Sequence, residues 1–496
     1  MTDAEKESSN TLKRLGRRAM SLGFAGAFDY AVQFLLPIVL VRCLDAEAFG
    51  KYRLVWLLIG TAMAFLPMAL QGTLYYFLPR SDAAAKRTYI NQTLLFFAVA
   101  GLIAGFAVSE LNPLLPEGVR GLSSLPVVVP AFIVMWVMAS VLDLLPTVEE
   151  RITWQAGVTV SLALIRALAI SLVAMVTREL TPVLVTLLFF VAFKLSLLLF
   201  YVARYHGLRG PLWRAKAFSE QIRMAAPFWA GGALYGMRAQ ADQWVAAALF
   251  PLSAFASFSI ALVLGPLVNL CRQSVSSAFL PSMSRSQATG SIEEMLRLNS
   301  HANAMTAALV YPLLAFAFVF AEDLVTVVYT AAHVDAAPVM RVFILGLAAL
   351  VIELASLMLL LRLGSFMLWV NLVALFVSTT INWFSAQEFG LAGAAAGSVV
   401  VIYLDRAASL WRVSREAGIT VWKLQDWRGL AVLLLISGLS AAFAWAVVPY
   451  FFDEDQHLLR AAAGAIVLIT AYASLRALCG MDRELRRAVR EFAHRF

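Results

Sequence analysis

Residues 182–204 read PVLVTLLFFVAFKLSLLLFYVAR, in which only Lys194 and the closing Arg204 carry charge. An α-helix needs about 20 predominantly apolar residues to cross roughly 30 Å of hydrocarbon, and this stretch supplies them. Runs of the same kind recur outward from it, at about 21–43, 52–78, 88–109, 125–148 and 154–177 on one side. On the other they fall at about 224–250, 255–280, 299–321, 338–362, 365–385, 391–412, 429–449 and 458–478. The whole 496-residue chain is 61% hydrophobic and 14% charged, whereas soluble proteins are about a quarter charged. The expected fold class is all-α, a polytopic membrane protein of about 14 transmembrane helices with no sizeable soluble domain.

The first run follows a tail, Met1 to Met20, that mixes Asp3, Glu5 and Glu7 with Lys13, Arg14, Arg17 and Arg18. It is too long for a signal-peptide core and ends in no small-residue cleavage site, so it reads as an uncleaved first span. The net charge of +8 is accounted for by topology rather than nucleic acid. With the N-terminus inside, inner segments hold roughly 26 Lys/Arg and outer loops roughly seven, which places both termini in the cytoplasm. The densest inner clusters are Arg14–Arg18, Lys86–Arg87, Arg204 to Arg223, Arg412 to Arg428 and Arg483 to Arg495. In the last of these, Leu485, Val489, Phe492 and Phe496 share one helical face opposite Arg486, Arg487 and Arg490, the pattern of a helix lying on an anionic leaflet.

Other chemistries find little support. Cys43, Cys271 and Cys479 are scattered, and His206, His301, His333, His457 and His494 form no metal pattern. No Walker A loop is present, so no ATPase domain is expected in the chain. Asp453-Glu454-Asp455 resembles the acidic pair of metal-dependent glycosyltransferases, yet its place in a short outer loop suits a solvated topology determinant.

The long basic connection after six spans is the natural seam. It divides the chain into a tail (1–20), an N-lobe (21–204), an inter-lobe loop (205–223), a C-lobe (224–412), spans thirteen and fourteen (413–478) and a basic tail (479–496). Ala48-Phe49-Gly50-Lys51-Tyr52 and Ala254-Phe255-Ala256-Ser257-Phe258 follow spans one and seven, an echo of a parallel repeat. Pro67 and Pro266 each remove a helix hydrogen bond and allow a kink. Gly232/Gly236 and Gly393/Gly397 are GxxxG steps suited to close helix packing.

Ten ionisable residues fall within spans: Asp29, Asp143, Arg166, Lys194, Arg238, Asp242, Arg272, Glu353, Asp405 and Arg406. At about 2.5–3.5 kcal/mol each, their gross insertion cost is of order 30 kcal/mol, so they must face protein or water. Arg238 and Asp242 stand four apart on one helical face, and Asp405 adjoins Arg406; these read as structural pairs. Arg166, Lys194 and Arg272 have no partner nearby in sequence and read as lining a cavity. Such cations suit an anionic ligand such as a phosphate. Asp29, Asp143, Asp242 and Glu353 are candidate sites for a coupling H+ or Na+. Glu149 and Glu150, at the inner mouth of span four, read as solvated.

Several stretches resemble motifs of the polysaccharide-unit flippases of the multidrug/oligosaccharidyl-lipid/polysaccharide exporter superfamily. Pro37 to Arg42 followed by Ala48-Phe49-Gly50-Lys51-Tyr52 is similar to the family's opening motif, with Asp45 where a glycine is usual. Gly72 to Tyr76 with Pro79-Arg80 resembles its close of span two, Asp242 matches an Asp frequent in span seven, and Phe389-Gly390-Leu391-Ala392-Gly393-Ala394-Ala395 resembles the motif that opens span twelve. The resemblance implies two six-helix lobes in pseudo-two-fold arrangement plus two C-terminal helices, working by alternating access in the bacterial cytoplasmic (inner) membrane. Its implied cargo is an oligosaccharide repeat unit on undecaprenyl pyrophosphate, flipped from the inner to the outer face for lipopolysaccharide (O-antigen) or exopolysaccharide biosynthesis. That pyrophosphate would meet Arg166, Lys194, Arg238 or Arg272. The implied partners are the lipid-linked oligosaccharide, membrane lipids, a polysaccharide polymerase and other assembly proteins, with no nucleic acid, no ATP and no cofactor beyond H+ or Na+. The alternatives are an ion-coupled multidrug exporter, a membrane enzyme acting on lipid-linked sugars, and a structural assembly protein.

Overall fold

The computed structural model describes residues 3–109, 127–207 and 210–479. The connection at 110–126 and the tail read as an amphipathic helix lie outside them. Every regular element among the described residues is helical, as hydrocarbon demands, because a helix satisfies its own backbone donors and acceptors.

The main helices are α1 (Asp3–Cys43), α2 (Ala46–Phe65), α3 (Leu70–Phe77), α4 (Ala83–Ala107), α5 (Val128–Ala139), α6 (Ile152–Thr177), α7 (Leu180–His206) and α8 (Ala215–Arg238). There follow α9 (Ala241–Leu249), α10 (Leu252–Ala261), α11 (Leu264–Ala288), α12 (Ile292–Val319), α13 (Ala321–Val328), α14 (Ala336–Leu350) and α15 (Ala355–Leu360). Last come α16 (Gly364–Ala417), α17 (Trp427–Val447) and α18 (His457–Leu478). Ten helices among the described residues are long and apolar enough to cross a membrane, or eleven if Ala46–Phe65 and Leu70–Arg80, bent by 46°, form one span. Pro67 lies at that bend, beside the left-handed residues Met68 and Ala69.

The difference from fourteen arises where apolar runs are interrupted. Run 224–250 breaks between α8 and α9, and run 338–362 breaks between α14 and α15. Helix α16 joins two runs in 54 residues, which would be about 80 Å long if straight. It is not straight, because Gly390 (φ 63°, ψ −144°) breaks it. A Cβ on Gly393 would lie 1.9 Å from the Ser385 carbonyl oxygen, and one on Gly397 would lie 2.5 Å from that of Ser378. Ser385 with Gly393 and Ser378 with Gly397 are antiparallel pairs, so the halves fold back as a hairpin whose backbones touch through glycine. Gly393→Val should therefore abolish folded, monodisperse protein in size-exclusion chromatography. Gly438→Ala, where the added Cβ meets open space, should not.

The chain forms two compact units, Met1–Gln240 with Pro251–Ser253, and Ala241–Phe250 with Ala254–Phe496. In the first, α1 packs along α6, α5 joins α4 to α7, and α8 lies against α2, α3 and α4. Asp45 caps α2 by accepting from the Ala48 N–H at 2.7 Å. That cap gives Asp45 a structural role. Gly50 passes so close to Leu252 that a Cβ would lie 2.0 Å from its carbonyl oxygen.

In the second unit α12 is central, touching α11, α14, α17 and α18. Helices α17 and α18 are anchored rather than peripheral. Phe320, Ala441, Ala444, Val448 and Leu468 form a buried cluster, Gly464 abuts the Phe320 ring, and Tyr472 donates to the Ala308 carbonyl at 2.9 Å. Outward faces carry exposed Phe189, Phe193 and Phe200 on α7 and Phe376, Phe384 and Phe389 on α16, as lipid contact requires.

Candidate functional site

In the first unit, polar side chains converge on a cavity of about 410 Å³. Helix α1 contributes Leu22, Ala25, Gly26, Asp29 and Gln33, which recur at helical spacing along one face. Helix α6 supplies Gln155, Thr159, Leu162 and Arg166 on a second such stripe, and α7 adds Phe190 and Lys194, one turn apart. The chain tightens into a 3₁₀ turn over Ser140–Asp143 just after α5, bringing Asp143 and Thr147 to the wall beside Trp136.

The cations and acids there are each other's partners. Arg166 Nη2 donates to Asp29 Oδ1 at 2.8 Å, and Lys194 Nζ donates to Asp143 Oδ2 at 2.7 Å. Gln33 donates to the other Asp29 oxygen at 2.7 Å, and Lys194 Nζ stands 5.4 Å from the centre of the Trp136 ring. The reading of Arg166, Lys194, Asp29 and Asp143 as unpaired is thus corrected, and the reason is geometric: partners 137 and 51 residues apart are invisible to local spacing. The layering is equally informative. The side chains of Arg166 and Lys194 are 9% and 10% exposed, whereas those of Asp29 and Asp143 are 30% and 57%. All four line the cavity, and the carboxylates are its more exposed members. Arg166 Nε and Gln155 Oε1 are buried without a hydrogen-bond partner among the described residues, an unusual cost for a wall that holds nothing polar.

Arg272 and Glu353 meet in the second unit. Arg272 Nη1 lies 3.3 Å from Glu353 Oε1, so these too are paired, against expectation. Glu353 occupies the interruption between α14 and α15, where its carboxylate accepts from the N–H groups of Ala355 (2.9 Å) and Ser356 (3.3 Å) and from Ser276 Oγ (3.4 Å). Its own N–H donates to Asn303 Oδ1 at 3.0 Å, and Asn299 Nδ2 donates to its carbonyl at 3.2 Å. A carboxylate so fully bonded ties elements together.

The unbroken helix that the Arg238–Asp242 pairing assumed is interrupted, since α8 stops at Arg238 and α9 starts at Ala241. Arg238 is half-buried at the end of α8 and does not line the cavity. Asp242 is 4% exposed and accepts from the Gln243 N–H at 2.7 Å and from the Ser398 hydroxyl. Ser398 in turn lies 3.3 Å from Ser378 Oγ, and Asn382 Nδ2 donates to both hydroxyls. A buried carboxylate is thus joined to a polar knot across the α16 hairpin, with no ion pair among the described residues. The expected Asp405–Arg406 pair is present at 3.2 Å.

Glu149 is not the solvated residue expected. Tyr201 donates its hydroxyl to Glu149 Oε2, His206 Nε2 lies 2.6 Å from Oε1, and Arg151 Nε stands 3.9 Å from Oε2. Burial pushes this carboxyl up, but the contacts from His206 and Tyr201 and the charges of His206 and Arg151 outweigh it and hold it below the usual carboxylate range.

Sequence reasoning missed Gln33, Trp136, Thr147, Gln155 and Thr159. A signal existed for most of them, since Gln33 is four residues after Asp29, Thr147 four after Asp143, and Thr159 and Gln155 are seven and eleven before Arg166.

No protein-family model and no curated protein sequence matches this chain. Solved structures do. The lipid II flippase MurJ in an inward closed conformation superposes with a TM-score of 0.67 at 13% identity, covering 92% of this chain and 98% of that one. An inward-facing multidrug resistance MATE family transporter of the MOP superfamily gives 0.58 at 12% identity, covering 78% and 94%. A Vibrio cholerae MATE transporter gives 0.52 at 13%, covering 83% and 98%. At such identities the likeness establishes the fold: this chain has the polytopic architecture that a lipid-linked-substrate flippase and multidrug transporters share.

Proposed function

We propose that this protein is a flippase that moves a lipid-linked oligosaccharide, its sugar carried on a polyprenyl pyrophosphate, across a bacterial cytoplasmic membrane by alternating access. The observation that carries the reading is the first-unit cavity, lined by two buried cations paired with two more exposed carboxylates. The sequence motifs and the shared fold support the same class. Arg166 and Lys194 would hold the pyrophosphate, since both are anion donors where water is scarce. Asp29 and Asp143 now hold these cations and would have to swing aside for the pyrophosphate. Gln33, Gln155, Thr159 and the Trp136 ring would meet the sugar. The test is flipping of a fluorescent polyprenyl-pyrophosphate saccharide in proteoliposomes. Transport that requires both cations supports the proposal, and transport indifferent to both overturns it.

Asp242 with Ser378, Asn382 and Ser398 offers oxygen donors suited to a hard cation or a proton, and we assign coupling to it. Asp242→Asn is expected to leave cargo binding near wild type while making flipping insensitive to an imposed proton or Na+ gradient. A variant that still responds to the gradient would rule this assignment out.

One observation favours the multidrug reading instead: the more exposed charged groups of the cavity are carboxylates. If the cargo is a cation, Asp29→Asn and Asp143→Asn will weaken cargo binding. If it is a pyrophosphate they will strengthen it.

A further inference from the structure

The charge pattern puts the basic clusters Lys86–Arg87 and Arg204 to Arg223 on one side of the membrane, and the first unit brings them together. Arg87, in the second turn of α4, donates through Nη1 to the carbonyl of Val202 near the end of α7, at a long 3.4 Å. Among the described residues its Nε is buried with no hydrogen-bond partner, and no acidic side chain pairs with it. The residue is only 8% exposed. Its stem runs beside Gly210, where a Cβ would lie 2.9 Å from Arg87 Cγ. One turn further on, Asn91 Nδ2 donates to the Pro211 carbonyl at 3.1 Å and pins this backbone over the start of α4.

A guanidinium has five donors and a permanent charge, and one long bond to a neutral carbonyl leaves it far from satisfied. An arginine extended toward bulk water would need no explanation; a buried one does. The surroundings indicate what completes it. Leu212 and Trp213 follow the pinned segment and are exposed, and the Trp213 ring lies 4.1 Å from that of Phe218, itself 5.7 Å from that of Phe96. Exposed tryptophan and leucine beside basic residues mark the headgroup level of a bilayer. Half-buried Lys86 and exposed Arg204 and Arg214 adjoin these segments in sequence.

We propose that Arg87 holds the phosphodiester of an anionic membrane lipid, with Pro211, Leu212 and Trp213 against the lipid's glycerol and upper acyl chain. The site is separate from the cargo cavity, and the inference stands whether or not the proposed function is correct. A guanidinium fork matches two phosphate oxygens, and basic pockets between transmembrane helices bind such headgroups.

Thermal unfolding of the full chain in a zwitterionic detergent tests it, with added phosphatidylglycerol, phosphatidylcholine or inorganic phosphate. Phosphatidylglycerol is expected to raise the wild-type midpoint by several degrees more than phosphatidylcholine, and Arg87→Gln to remove that difference. Should Arg87→Gln not fold, Arg87→Lys carries the test, because an ammonium keeps the charge but not the fork and should lose most of the difference. Three results would overturn the proposal: the two lipids acting alike on wild type, the difference surviving in the variant that folds, or inorganic phosphate reproducing it, which would indicate a free-anion site.

Discussion

Arg166→Ala and Lys194→Ala are expected to stop flipping while the protein still folds, whereas Asp29→Asn and Asp143→Asn are expected to do nearly the opposite. The asymmetry follows from the layering of the two pairs. Removing a cation leaves a carboxylate that already faces the cavity, and Asp29 keeps its bond from Gln33, so little is stranded. What is lost is the donor for the cargo, about 1.5–3 kcal/mol for a charge-assisted contact, or roughly 10- to 150-fold in affinity. Removing a carboxylate strands a cation that is about nine-tenths buried. Breaking a buried pair from one side costs about 3–5 kcal/mol, reduced here by whatever water the cavity admits. The Asn variants should therefore unfold at lower temperature without anion, bind farnesyl pyrophosphate more tightly than wild type, and recover stability when it is added. Binding isotherms and melting curves on the same preparations measure all three effects. If the Asn variants bind the anion more weakly, or if Arg166→Ala and Lys194→Ala both still transport, the cavity does not hold a pyrophosphate.

The second large effect is expected at Glu353, and on stability rather than transport. Glu353→Ala removes acceptors used by Arg272, Ser276, Ala355 and Ser356, unties the start of α15 and leaves Arg272 without its carboxylate. We expect a loss of about 3–5 kcal/mol, the range for stranding one member of a buried pair. It should appear as a markedly lower melting temperature and poor recovery from the membrane. Glu353→Gln keeps acceptor oxygen for the N–H groups and should fall between. The double variant Arg272→Met/Glu353→Leu, which strands no charge, should recover part of the loss. A Glu353→Ala protein that melts like wild type yet fails to transport would return Glu353 to the coupling role that its position within a span suggested.

Much of this molecule was legible before any fold was known. Fourteen apolar runs are visible because lipid permits few exceptions to a continuous apolar stretch, and among the described residues each contains helix, although the runs at 52–78, 224–250 and 338–362 are interrupted. The sequence also marked ten ionisable residues within spans, because a charge there is conspicuous wherever it ends up, but it did not mark Arg87 among them. Local punctuation was readable too: Pro67 stands at the bend between α2 and α3, and Gly393 and Gly397 are where backbones meet. Pairing was another matter. The i,i+4 reading of Arg238 and Asp242 assumed an unbroken helix, yet the helix stops between them. Glu149 looked like a mouth residue because nothing near it in sequence announces Tyr201 or His206, more than fifty residues away.

The sequence by itself determined that this chain lives in a bilayer, that it is built of helices, and which of its residues carry charge into hydrocarbon. Those properties depend on periodicity and composition, which act along the chain. Only the tertiary structure decided which charges neutralise one another, that the acids are more exposed in the cavity than the cations, and that Arg87 is buried without a counter-charge among the described residues. Those depend on which helix faces which, a matter of side-chain packing between segments far apart in sequence, where no local rule reaches.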